Sequence, residues 1–235
     1  MNDNFIRSIR LEQSDSTVYP FSIPAVQHID TIDFMAPVTF LVGENGSGKS
    51  TIIEAIAIAA GFNAEGGTKN YNFSTQDTTS SLSEYITLIR GASREPSGYF
   101  LRAESFYTAV KYAESGPHPL LFDGKRMHEE SHGEAFLSIV KDFKPGLFIF
   151  DEPESALSSQ RQLALMLLMR KLVAQGSQFI IATHSPILLS YPKSILYELS
   201  VAGVRKIAYE DCDHVTFTRD FLSSPSRFLE HLFKL

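Results

Sequence analysis

The stretch GENGSGKST, Gly43 to Thr51, follows the apolar run VTFLV at Val38–Val42 and precedes IIEAIAIAA. A glycine-rich turn between a buried strand and a helix restricts the chain to an α/β layout, and the pattern Gly43-x-x-x-x-Gly48-Lys49-Ser50 assigns the turn to phosphate binding. Glycines at 43, 46 and 48 allow the backbone to wrap until successive N–H groups point inward, while the helix start offers its positive dipole end. Glu44, Asn45, Ser47 and Thr51 complete the cradle. Lys49 is placed to reach the β and γ phosphates of a nucleotide such as ATP, and the Ser50 hydroxyl to ligate Mg2+.

A phosphate loop by itself admits several reaction classes, so a second acidic element decides. LFIFDEPESALS supplies it: Phe148, Ile149 and Phe150 read as a buried strand that carries Asp151 to the sheet's C-terminal edge, where ligands sit in open α/β sheets. Asp151 is then expected to hold Mg2+ through water, and Glu152 to orient or deprotonate the attacking water. The plainer alternative is a solvated strand end, with Pro153 opening a turn.

The remaining chain reads as one α/β domain, 1–235, with 62–145 as a lid region inside it. IRSIRL begins an N-terminal β portion broken by Pro20 and Pro24, and the helix after the loop ends at Gly61. Phe62 to Ser81 is rich in Gly, Asn, Ser and Thr and is expected to be a mobile excursion with a flexible tip at Gly66-Gly67. EYITLIR and GYFLRAE read as strands and SFYTAVKYAE as a short helix, followed by the loop SGPHPLLFDGKRMHEE. Helices at Gly133–Lys141 and Ser159–Ala174 then alternate with the strands GLFIF and QFIIAT, before PILLSY, SILYEL and VRKIAYE. That alternation predicts a mainly parallel sheet covered on both faces, and the absence of sustained heptads predicts no coiled-coil arm.

Charge narrows the partners. Lys and Arg total 21 against 27 Asp and Glu, and the basic clusters go no further than pairs such as Lys125-Arg126 and Arg170-Lys171, so nucleic acid is left open but unsupported by charge. Cys212 has no cysteine partner for a disulfide, and the histidines lack zinc spacing, which fits a reducing, cytoplasmic setting. No run approaches the roughly 18 apolar residues of a membrane span, so direct membrane insertion is not expected.

Taken in order, GENGSGKST, SHGE, FDEPESALS and IATHSP resemble the ATP-binding cassette (ABC) ATPases, in the branch of SMC and RecF heads and small stand-alone AAA-family ATPases. The resemblance implies a P-loop fold of ABC type, with a mainly parallel central sheet, an N-terminal antiparallel β portion and a short helical signature insert. It implies that Ser131, Gly133 and Glu134 contact the γ phosphate held by a second subunit; read locally, Ser131 and Glu134 are also a capping box. Glu154 to Ser158 resembles the D-loop along the dimer seam, with Ser158 replacing the usual aspartate, and His184 resembles the switch histidine. Glu104 stands where a metal- or water-contacting glutamine is common; a surface glutamate is the other reading. Tyr19 or Phe21 is a candidate to stack on adenine, against ordinary core packing.

The function implied is an Mg-ATP hydrolase that closes as a head-to-tail homodimer over ATP and drives or gates a process carried by an unidentified protein partner. DNA maintenance and defence against foreign elements are the processes the resemblance suggests. Two alternatives stand beside it: the nucleotide-binding subunit of a membrane transporter, and a slow ATP switch holding a protein effector. The DEPE and THSP stretches and Glu134 resemble the SMC and RecF branch more than transporters.

Overall fold

Val38–Val42, Leu147–Asp151 and Gln178–Ala182 are buried at every position, the pattern of strands covered on both faces. Residues 4–12, 17–69, 81–102, 121–122, 125–126 and 132–234 are described in the computed structural model, without the side chains of 121–122, 125–126 and 132–135. In chain order the strands are β1 (Ile6–Leu11), β2 (Thr31–Asp33), β3 (Val38–Val42), β4 (Ile86–Arg90), β5 (Gly98–Arg102), β6 (Leu121–Phe122), β7 (Lys125–Arg126), β8 (Leu147–Asp151), β9 (Gln178–Ala182), β10 (Ile195–Ser200) and β11 (Gly203–Ile207). The helices are α1 (Pro24–Gln27), α2 (Lys49–Ala59), α3 (His132–Lys141), α4 (Ser159–Ala174), α5 (Pro186–Leu189), α6 (Asp213–Ser223) and α7 (Pro225–Phe233).

Six strands form the central sheet in the order β11-β10-β3-β9-β8-β5, parallel throughout except for the β10–β11 hairpin. Side chains alternate between its faces. Leu41, Leu147, Ile149, Ile180 and Ala182 join one cluster with Ile52, Ile53 and Ile56 of α2. Phe40, Phe148, Phe150, Phe179 and Ile181 join the other with Leu165, Met169 and Leu172 of α4. Within the second cluster Phe148 stacks on both Phe143 and Phe179, each at 4.9 Å between ring centroids.

A second sheet, β2-β1-β4, is antiparallel, and α2 lies between it and the central sheet. Gln178 joins the two sheets directly. Its buried carboxamide accepts from the Ile6 N–H at 2.9 Å and donates to the Ile6 carbonyl at 2.7 Å, imitating a strand neighbour.

The expected fold class is therefore met, and two local expectations are corrected. The tip at Gly66-Gly67 is pinned: Gly67 and Phe100 exchange backbone hydrogen bonds of 2.8 and 2.9 Å, and Lys69 pairs with Glu95. Beyond Glu210, where no element was expected, α6 and α7 fold as successive helices. The expected helix SFYTAVKYAE and most of the loop after it lie outside the described residues.

Candidate functional site

Parallel register brings the strand ends together. Leu41 pairs with Ala182, and Ala182 with Asp151, so the loop after β3, the Thr183–His184 turn after β9 and Asp151-Glu152 after β8 share one edge. Because β9 lies between β3 and β8, His184 stands between the phosphate loop and the acidic pair.

The loop itself is shaped by close approach. A Cβ on Gly43 (φ +149°) would fall 2.4 Å from the Leu199 carbonyl of β10, and one on Gly48 (φ +99°) would meet Ile23 at 2.9 Å. Gly48 caps α2, which begins at Lys49. The buried Lys49 ammonium donates to the carbonyls of Gly43 and Glu44, both at 2.9 Å, so it folds over its own loop. Burial lowers its pKa, and the carboxylates of Glu152, Asp151 and Glu154 oppose that shift. Glu44, Asn45 and Gly46 are exposed on the rim, Ser47 and Thr51 half-buried.

Ser50, one residue on, donates to Asp151 Oδ1 at 3.1 Å across the gap between α2 and β8. Burial is the main reason the Asp151 carboxyl is pushed up to about 7; the Ser50 hydrogen bond opposes it and the Glu152 charge adds to it. A hydroxyl and a buried carboxylate at hydrogen-bond distance are hard oxygen donors of the type Mg2+ takes, with waters and phosphate oxygens completing its shell. Among the described residues no three His, Cys, Asp or Glu converge as a self-sufficient metal cage. Behind Ser50, Glu54 of α2 pairs with Arg102 at 2.8 Å, and Arg102 stands beside Asp151 in the β5–β8 register.

Glu152 is left-handed (φ 49°, ψ 52°), a conformation that costs a non-glycine residue on the order of 1–3 kcal/mol. The turn leaves its carboxylate half-exposed, 3.6 Å from His184 Nε2. Glu154 turns inward instead: one of its oxygens accepts from the His184 backbone N–H at 2.6 Å, and burial raises its pKa. His184 Nδ1 faces His214 Nε2 at 3.1 Å, while its Nε2 is buried without a hydrogen-bond partner among the described residues. Burial first, then Lys49 and His214, lowers the His184 pKa.

Of the residues singled out in the sequence, Gly43 to Thr51, Asp151, Glu152 and His184 converge here. Gly133 and Glu134 lie in the first turn of α3; Ser131 and Glu104 fall outside the described residues. Ser158 does not need a seam partner to explain it, since its hydroxyl caps α4 by accepting from the Arg161 N–H at 3.4 Å. Ser185 likewise caps α5 and bonds Gln162 at 2.5 Å. Phe21 is core, edge-on to Tyr85, whereas Tyr19 is 62% exposed with its hydroxyl 3.3 Å from Thr51 Oγ1, so core packing fails for Tyr19 and holds for Phe21. Sequence reasoning missed Arg102, Glu54 and His214, none of which lies in a recognisable motif.

Two family models match. One, described as "AAA domain", covers residues 22–116, and the other, described as "AAA domain, putative AbiEii toxin, Type IV TA system", covers residues 135–190. Among solved structures, cbiO1 from Clostridium perfringens, part of the ABC transporter complex cbiONQ, superposes with a TM-score of 0.50 at 16% identity, over 99% of this chain and 100% of that one. The chain carries AAA-type ATPase matches on the fold of an ABC cassette. Two further proteins resemble the chain. The SMC head domain from Thermotoga maritima gives a TM-score of 0.49 at 17% identity, over 87% of this chain and 99% of that one. The macrolide export ATP-binding/permease protein MacB of Campylobacter jejuni is 22% identical over 183 residues, covering 66% of this chain and 28% of that protein. The chain thus spans under a third of that curated relative. Among the described residues, no helix is long and apolar enough to cross a membrane.

Proposed function

We propose that this ATPase binds Mg-ATP in the Gly43–Thr51 loop and hydrolyses it with Glu152 as general base and His184 as a γ-phosphate donor. The observation that carries the reading is the Ser50–Asp151 hydrogen bond, which brings the phosphate loop and the acidic strand end together with Glu152 beside them. When bound, Mg2+ would be held by Ser50 and Asp151 and would neutralise charge on the β and γ phosphates. Lys49 exchanges its loop carbonyls for those phosphates. Glu152 Oε, half in solvent, takes a proton from the attacking water, and the His184 Nε2 position meets charge that develops on the γ phosphate. Tyr19, exposed beside Thr51, is placed to cover the base.

The reading extends to assembly. Two chains close head to tail, each offering Ser131 and the Gly133–Glu134 turn of α3 to the γ phosphate of the other, and the cycle drives or gates a protein partner in the cytoplasm. The toxin–antitoxin description attached to residues 135–190 favours a defence process over DNA maintenance. The match to a permease-linked export protein favours a transporter subunit as the second reading, which co-purification with a membrane permease would support.

The test separates binding from chemistry. Lys49→Ala should abolish Mg-ATP binding in calorimetry, whereas Glu152→Gln should keep binding and slow turnover by roughly a hundredfold or more, the scale of a lost general base. Near-normal ATP affinity in Lys49→Ala would make the loop structural. Loss of binding in Glu152→Gln would end the assignment of a base.

A further inference from the structure

Helix α6 reaches into the nucleotide site through a side chain that the proposed chemistry does not use. His214 Nε2 lies 3.3 Å from the Gly43 carbonyl of the phosphate loop and 3.1 Å from His184 Nδ1, with the two imidazole planes at 89°. Those partners fix where the protons are. A carbonyl accepts and never donates, so the His214 nitrogen facing Gly43 carries hydrogen. The same N–H faces His184 Nδ1, which must therefore present a lone pair. In a neutral imidazole the remaining proton then sits on Nε2. That atom is buried, without a hydrogen-bond partner among the described residues, and 3.6 Å from Glu152.

We propose that His214 is a positioning residue of the ATPase site, holding His184 in the tautomer that aims an Nε2–H at the γ phosphate and tying that histidine to the phosphate loop through Gly43. The inference rests on the reading of His184 as a γ-phosphate donor. The other tautomer would turn a lone pair toward an anion. His214 and Lys49 also share the Gly43 carbonyl, whose two lone pairs accommodate both donors. When Lys49 leaves for phosphate, His214 keeps that carbonyl satisfied.

The experiment uses the full chain carrying His214→Ala, His214→Gln, His184→Ala and the double variant His184→Ala/His214→Ala, with kcat, KM for ATP and nitrogen-15 imidazole spectra measured for each. His214→Ala should lower kcat about tenfold, the scale of losing a partner that orients a reactive imidazole, with KM little changed. His184 in that variant should lose its fixed Nε2–H tautomer. Glutamine, whose amide also donates, should restore most of the rate and the tautomer. In the His184→Ala background, removing His214 should cost nothing more. If His184→Ala is slow but His214→Ala matches the wild type, the inference fails while the proposed function stands. If His214→Ala is slow with the His184 tautomer unchanged, His214 is merely structural and the inference fails. If His184→Ala turns over normally, the assigned role of His184 falls first, and the inference with it.

Discussion

Asp151 shows what a functional carboxylate costs the fold. Burial pushes it up to about 7, and Ser50, Arg102 and Lys49 only partly oppose that. An unfolded aspartate titrates near 3.9, so between roughly pH 4 and 7 the folded state holds the extra proton. Binding more protons when folded means that stability falls as pH rises through that window, in the absence of nucleotide. Asp151→Asn removes the buried charge and should flatten this slope. Its unfolding free energy at pH 8 should exceed the wild type's by on the order of 2–4 kcal/mol, converging near pH 4, as measured by urea denaturation without nucleotide. The same variant should lose the Mg2+ dependence of ATP binding. A wild-type pH slope in Asp151→Asn would place the titration on another group. Strain at the left-handed Glu152 next door adds to the same conflict between stability and chemistry.

The helices carry their own explanations. α4 has no acidic residue in its first turn, and Ser158 caps it. Ser158→Ala should therefore cost about 1 kcal/mol in urea denaturation, whereas Ser158→Asp should cost nothing, since a carboxylate caps equally well and favours the helix dipole. A comparable loss in Ser158→Asp would mean that the hydroxyl does more than cap. Elements of this kind were legible in advance because capping, strand alternation and phosphate binding use residues adjacent in sequence. Gly43 to Ser50 and Asp151-Glu152 are contiguous for that reason. His214 was not legible: it stands 171 positions from the Gly43 carbonyl it faces, inside a helix with no motif. α6 and α7 escaped notice because only Val215 of their apolar side chains is buried while Phe217, Leu222, Leu232 and Phe233 are exposed, so little of their apolar pattern points at a core. The glycine-rich tip misled for the opposite reason, since composition reports local freedom and not the pairing of Gly67 with Phe100.

For the assembled molecule, the proposed seam requires nucleotide. Two positively polarised loop-and-helix starts repel until phosphates lie between them, so ATP should shift the chain toward a dimer only through its extra affinity for that state. Glu152→Gln with ATP should accumulate a dimer in light scattering, and adding Ser131→Arg should leave ATP bound to monomers. Equal dimerisation in both variants would reduce the α3 start to an ordinary capped helix. A pull on β1 would be felt at the Gln178 carboxamide. Its two hydrogen bonds clasp both the N–H and the carbonyl of Ile6. Tension along β1 loads the pair together instead of unzipping them in turn. Load is thereby handed to β9, the strand that runs on into the Thr183–His184 turn.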